Sequence, residues 1–181
     1  MVNGRQANRG FTLVELMVTV GVVAILLSLA VPSFKRMAAR SNVRTASTSI
    51  YLSLLKARSS AARLNANVTV SPTGGNFNNG WTVTCVYSAT NNCQNGTTDQ
   101  PLSTEDAPSG VVITNAPANV VYLVSGRTLN NAAIAIRVST SAQMDATVWS
   151  YVCVDTSGHP YLKSQPNPGT ADYATPAAAC T

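Results

Sequence analysis

Gly10-Phe-Thr-Leu-Val-Glu-Leu-Met-Val-Thr-Val-Gly-Val-Val-Ala-Ile-Leu-Leu-Ser-Leu-Ala-Val31 decides how the rest of the chain is read. From Phe11 to Val31 it carries one charge, Glu15. As a helix rising about 1.5 Å per residue it spans roughly 30 Å, the thickness of a bilayer's hydrocarbon core. The stretch is expected to cross a membrane. A carboxylate inside such a span costs about 2.5–3.5 kcal/mol on insertion scales, so keeping one there implies a use for it.

The ten residues ahead of the span are short and polar, with Arg5 and Arg9. A secretory signal places its small-residue cleavage site beyond the apolar run. Here the small residue, Gly10, stands before it, so a cut after Gly10 removes the charged leader and leaves the apolar helix on the mature protein. Arg9-Gly-Phe-Thr-Leu-Val-Glu-Leu16 resembles the processing site of type IV prepilins and type II secretion pseudopilins. The resemblance implies cleavage between Gly10 and Phe11 by a prepilin peptidase, N-methylation of Phe11, and an assembly role for Glu15, the fifth mature residue. It further implies a single-pass protein of the bacterial inner membrane with its head in the periplasm. The partners it implies are other pilin or pseudopilin subunits and an inner-membrane assembly platform.

Charge is distributed unevenly along the 181 residues. Between residues 11 and 65, Lys35, Arg36, Arg40, Arg44, Lys56, Arg58 and Arg63 stand against Glu15, a balance of +6. Beyond residue 65, Arg127, Arg137 and Lys163 stand against Asp99, Glu105, Asp106, Asp145, Asp155 and Asp172, a balance of −3. The basic overall character therefore belongs to the stem, and the mildly acidic head argues against nucleic acid as a partner. A long C-terminal domain translocates largely regardless of flanking charge, which keeps the leader inside and the head outside.

Beyond the span, Val43, Ala46, Ile50, Leu54, Ala57, Ala61 and Leu64 recur at spacings of three and four, one apolar stripe on a helix reaching about residue 64. Pro32 removes the hydrogen bond to the Ser28 carbonyl, so a kink or a locally open turn is expected over residues 28–32. After Asn65 the period changes to two. Strands are expected at Val68–Ser71, Trp81–Tyr87, Val111–Thr114, Val120–Val124, Ile134–Ser139, Val148–Asp155 and Tyr161–Ser164, with loops over Asn95–Gly110 and Gln165–Thr181. The expected fold is α+β, a long N-terminal helix packed on an antiparallel β-sheet head. It divides into a leader (1–10), a membrane or filament-core helix (11–31), an amphipathic half-helix (32–65) and a disulfide-bonded head (66–181). Within the family, Gly80-Trp81, Ser125-Gly-Arg127 and the hairpin Val152–Lys163 most resemble FimT/FimU-like minor pilins and H-type pseudopilins.

Cys85, Cys93, Cys153 and Cys180 lack the paired C-x-x-C spacing of a zinc site, and in an oxidising compartment they pair. Of three possible pairings, Cys85–Cys93 closes a hairpin-like excursion and Cys153–Cys180 ties the tail to the last sheet. No cofactor, metal site or catalytic group is expected. The lone histidine, His159, sits in a Gly-His-Pro turn with Asp155 nearby but no marked nucleophile. Asp99, Glu105 and Asp106 share one expected loop without the spacing of an EF-hand calcium site. Some FimT-type pilins bind DNA through arginines in the last hairpin and tail, whereas here that turn reads Ser157-Gly-His-Pro-Tyr161 with Lys163 beyond it. The chain is accordingly read as a minor pilin or pseudopilin, incorporated through its helix, in filament initiation or the tip complex. An H-type subunit of type II secretion is one alternative and a DNA-uptake pilin another.

Overall fold

The computed structural model describes residues 11–91, 93, 98–129, 131, 133–141, 148–165 and 175–180. Helix α1, Leu13–Leu64, runs 52 residues, or about 78 Å. Thr12 caps it, its hydroxyl accepting from the Glu15 N–H at 3.2 Å. That is one half of a capping box, the Thr-x-x-Glu pattern that satisfies an orphan donor of the first turn. Asn65 ends the helix in the left-handed conformation (φ 49°, ψ 43°), and the N–H groups of Asn65 and Ala66 both reach the Ala61 carbonyl.

The open turn expected ahead of Pro32 does not form. Residues 28–32 are helical, and α1 passes through them without interruption. A proline costs a helix one hydrogen bond locally, while well-formed turns on both sides keep propagating it.

Among the described residues the antiparallel head expected from the sequence consists of two four-stranded sheets. The first has the order β3-β2-β1-β5, built from β1 (Val68–Pro72), β2 (Trp81–Cys85), β3 (Gln100–Glu105) and β5 (Val120–Tyr122). The second has the order β4-β6-β7-β8, from β4 (Val111–Thr114), β6 (Ile134–Thr140), β7 (Trp149–Val154) and β8 (Pro160–Ser164). Both pack on the second half of α1. Ala39, Val43, Ala46, Ile50, Leu54, Ala57, Ala61 and Leu64 form the buried stripe of the helix, and Val68, Val70, Val83, Val120, Ile136, Val138 and Val152 close over it. Trp81 is buried beneath the first sheet, its indole N–H donating to Ser53 Oγ at 2.9 Å.

Strand β3 falls where a loop was expected. Gln-Pro-Leu-Ser-Thr-Glu shows no apolar alternation, and its pairing with β2 makes it a strand. Pro101 is tolerated because β3 is an edge strand. Val83 and Thr84 face Ser103 and Pro101, which leaves Leu102 as an extra residue whose carbonyl accepts from Lys56 Nζ at 3.0 Å. The tail, also expected as a loop, holds a short helix α2, Pro176–Ala179.

Candidate assembly surface

The two halves of α1 meet different surroundings. From Phe11 to Met37, sixteen large apolar side chains are between 48% and 73% exposed, and no part of the described head covers them. Returning such side chains to an apolar phase is worth about 1.5–3 kcal/mol each when burial is complete, so the segment belongs in lipid or among other helices. The helix is long and apolar enough to cross a membrane.

Between Phe11 and Val31 the hydroxyls of the helix are satisfied locally. Thr19 Oγ1 donates to the Leu16 carbonyl at 2.8 Å and Ser28 Oγ to the Ile25 carbonyl at 2.7 Å, each folding a hydroxyl back onto its own helix. The Glu15 N–H is taken by Thr12, but among the described residues the Glu15 carboxylate has no partner. Its position in the first turn favours a negative charge through the helix dipole, a small effect beside the cost of a carboxylate in hydrocarbon. Gly10 lies outside the described residues; Phe11, just ahead of the cap, is 70% exposed.

The head end of α1 is held by a junction of three remote segments. Arg58 Nε donates to the Gly126 carbonyl at 3.0 Å, and Arg127 donates to the Thr156 carbonyl at 3.2 Å and to Asn131 Oδ1 at 2.9 Å. Gly158, at φ 82°, lies against the Gly126 carbonyl so closely that any Cβ would collide with it. Asp155 shapes the same turn, its Oδ1 accepting from Ser157 N, Ser157 Oγ and His159 N. These bonds, the Ser157 hydroxyl foremost, hold its carboxyl below the usual range. Beside them, burial pushes the Tyr122 phenol well above its usual value, against the opposing pull of the Arg58 guanidinium. His159 itself is exposed.

Cys85 pairs with Cys93 and Cys153 with Cys180, at Cα separations of 5.9 and 5.6 Å. The second bond closes over a small second core on the outer face of the second sheet, where Trp149, Tyr151 and Cys153 meet Ala179. Tyr161 donates its hydroxyl to the Cys180 carbonyl at 2.6 Å. This explains why β7 is buried on both faces: α1 covers one and the tail the other.

The acidic residues expected in one loop are split by β3. Asp99 precedes the strand and accepts from Tyr87 N at 2.8 Å, while Glu105 ends it and Asp106 follows, about 20 Å away at the rise of a strand. Among the described residues no group of three metal-ligating side chains gathers. A functional residue that sequence reasoning missed is Asn78, whose side chain donates to the Ile113 carbonyl at 3.0 Å and accepts from Ile113 N at 2.7 Å. It ties the turn after β1 to the edge of β4 as a strand would; nothing in the sequence marks it among its neighbouring asparagines.

An apolar helix projecting from a two-sheet head, with a lone carboxylate near its start, defines a pilin-like subunit. The chain belongs to the type II transport protein GspH family, whose model matches residues 46–158, and a prokaryotic N-terminal methylation motif matches residues 5–31. It is a structural subunit of the minor pilin or pseudopilin type, of a type IV pilus or a type II secretion system. Its fold is similar to that of the type IV minor pilin FimU of Pseudomonas aeruginosa, with 13% identity, a TM-score of 0.54, and coverage of 72% of this chain and 99% of that one. The minor pseudopilin EpsH of the Vibrio cholerae type 2 secretion system is also similar, with 16% identity, a TM-score of 0.48, and coverage of 70% and 99%. No curated protein matches the sequence.

Proposed function

We propose that the chain enters its filament as an initiating or tip subunit after loss of residues 1–10 and N-methylation of Phe11, with its head in the periplasm. The observation that carries this reading is the Glu15 carboxylate, without a partner among the described residues, in an apolar span whose hydroxyls at Thr19 and Ser28 fold back onto their own helix. Cleavage creates a cationic amine at Phe11 in the same layer. The amine of a neighbouring subunit neutralises Glu15 as helices bundle, at a dielectric where the attraction is far stronger than in water. A prepilin peptidase and an inner-membrane assembly platform are the partners this requires.

Glu15→Val should insert and fold normally yet fall roughly tenfold in the sheared-filament fraction relative to the membrane pool, the loss of about one close ion pair. Equal incorporation would remove the recruiting role. N-terminal mass spectrometry of the mature protein should begin at methylated Phe11, and a product beginning at Met1 would overturn the processing. The GspH match favours the secretion pseudopilus as a second reading, an H-type subunit near its tip. Retention in a purified pseudopilus, rather than in a surface pilus, decides between them.

A further inference from the structure

Two grooves of opposite charge flank α1 where it enters the head. The first, of about 490 Å³, is lined by Arg40, Arg44 and Thr48 of the helix and by Trp149, Leu162 and Ser164 of the second sheet. The other, of about 290 Å³, is lined by Asn42, Thr45 and Ser49 of the helix and by Glu105, Asp106 and Ser109 at the end of the first sheet. At about 100° per residue the two sets of helix positions lie on either side of the buried stripe Ala39, Val43, Ala46 and Ile50, facing away from one another. Arg40, Arg44 and Asp106 are exposed and Glu105 half-buried. Along the helix axis the groove centres differ by less than about 3 Å.

We infer that the basic groove of one copy meets the acidic segment Glu105–Ser109 of a second copy, in a lateral head-to-tail contact made in the plane of the membrane. The argument is charge complementarity combined with equal depth. Copies anchored through residues 11–31 stand parallel and at one height, which brings the groove at Arg40 and Arg44 level with the neighbour's Glu105 and Asp106. A two-fold arrangement would instead oppose the two arginine pairs, which like-charge repulsion disfavours. A contact between two different faces is not used up by a single pair, so further copies can add to it, in a ring or in a row according to the rotation between neighbours. The parallel arrangement rests on the filament-subunit reading above.

The test uses full-length chain in its membrane, as differently tagged copies carrying Thr48→Cys and Ser109→Cys. Mild oxidation should link the two tags to one another. Arg40→Glu with Arg44→Glu in the first copy should cut the yield roughly tenfold, and Glu105→Lys with Asp106→Lys in the second should restore it. An independent arm needs no new cysteine: Arg44→Lys supplies an amine that a carbodiimide should join to Glu105 or Asp106 of the other copy. Thr48→Cys linking to itself, a yield indifferent to charge, or absence of both cross-links with the native disulfides intact would each overturn the proposal. So would loss of co-purifying anionic phospholipid or bound DNA on arginine reversal without any inter-copy link, because the groove would then hold that ligand. Linking is read in the membrane fraction and incorporation in sheared filaments. A head contact that forms while Glu15→Val incorporates equally would therefore leave this inference standing without the recruiting role.

Discussion

Residues 13–38 and 39–64 of α1 form one continuous helix, yet they are stabilised in opposite ways. Up to Val31 the outer half is apolar around most of its circumference and its large side chains stand exposed; the inner half buries a single stripe and exposes Arg40, Arg44 and Lys56. In the first, hydrophobicity encodes a solvent, and any apolar residue serves nearly equally well. In the second it encodes a shape, because each buried side chain meets particular strand residues. The difference teaches that apolar content alone does not say which residues are irreplaceable.

Substituting one leucine in each half is the sharpest way to break this comparison. Leu54→Ala, at a fully buried position, should cost the head about 2–5 kcal/mol in denaturation measured in detergent. Leu26→Ala, at a position 61% exposed, should leave the head midpoint unchanged. Equal losses would mean that the outer half packs on the head after all.

The disulfides test whether the outer face of the second sheet behaves as a core. By chain entropy, removing Cys153–Cys180 should cost about 3.6 kcal/mol and removing Cys85–Cys93 about 2.6 kcal/mol. Paired Cys→Ser variants compared in urea measure both. Loss of the first should also expose Trp149 to fluorescence quenchers, which loss of the second should not. Non-reducing peptide maps showing Cys85 joined to Cys153 would contradict the pairing.

A smaller effect is expected at Asn78. Asn78→Ala leaves the N–H and carbonyl of Ile113 without their side-chain partner and should cost about 1–3 kcal/mol, with faster amide exchange at Ile113. The smallest concerns Asp155. Its folded carboxyl is held below its unfolded value, so its contribution is present above the unfolded pKa of about 3.9 and is lost as pH falls through the folded value. Asp155→Asn should therefore be slightly less stable than the native chain at neutral pH, with the gap closing below about pH 4 in thermal melts. A gap independent of pH would assign the effect to turn geometry alone.

Much of the molecule is legible in the sequence where signals are local. The span, the stripe from Val43 to Leu64 and seven of the eight strands among the described residues each carry their own local signal. Strand β3 does not, since its conformation comes from β2 and its Pro101 and polar side chains speak for a loop. The division into two sheets is equally silent, because it depends on which strands meet rather than on what each contains. Pro32 reads as a kink or an open turn, and residues 28–32 stay helical, a case of cooperative neighbours outweighing one lost hydrogen bond. Asn78 and the tail helix beneath Cys180 act through contacts with partners 35 and 19 or more residues away, which no short pattern records.

The junction of Arg58, Gly126, Arg127 and Gly158 lies near the far end of α1, while the lipid-facing segment lies at the other. A pull on the anchor along the helix axis therefore runs parallel to the whole interface between helix and strands. Such a load is carried in shear, shared by the entire buried stripe, and the clamp at Arg58 prevents the stem from being peeled away turn by turn. The head is fastened to its stem as a lap joint, strongest in the direction in which a growing fibre would draw it.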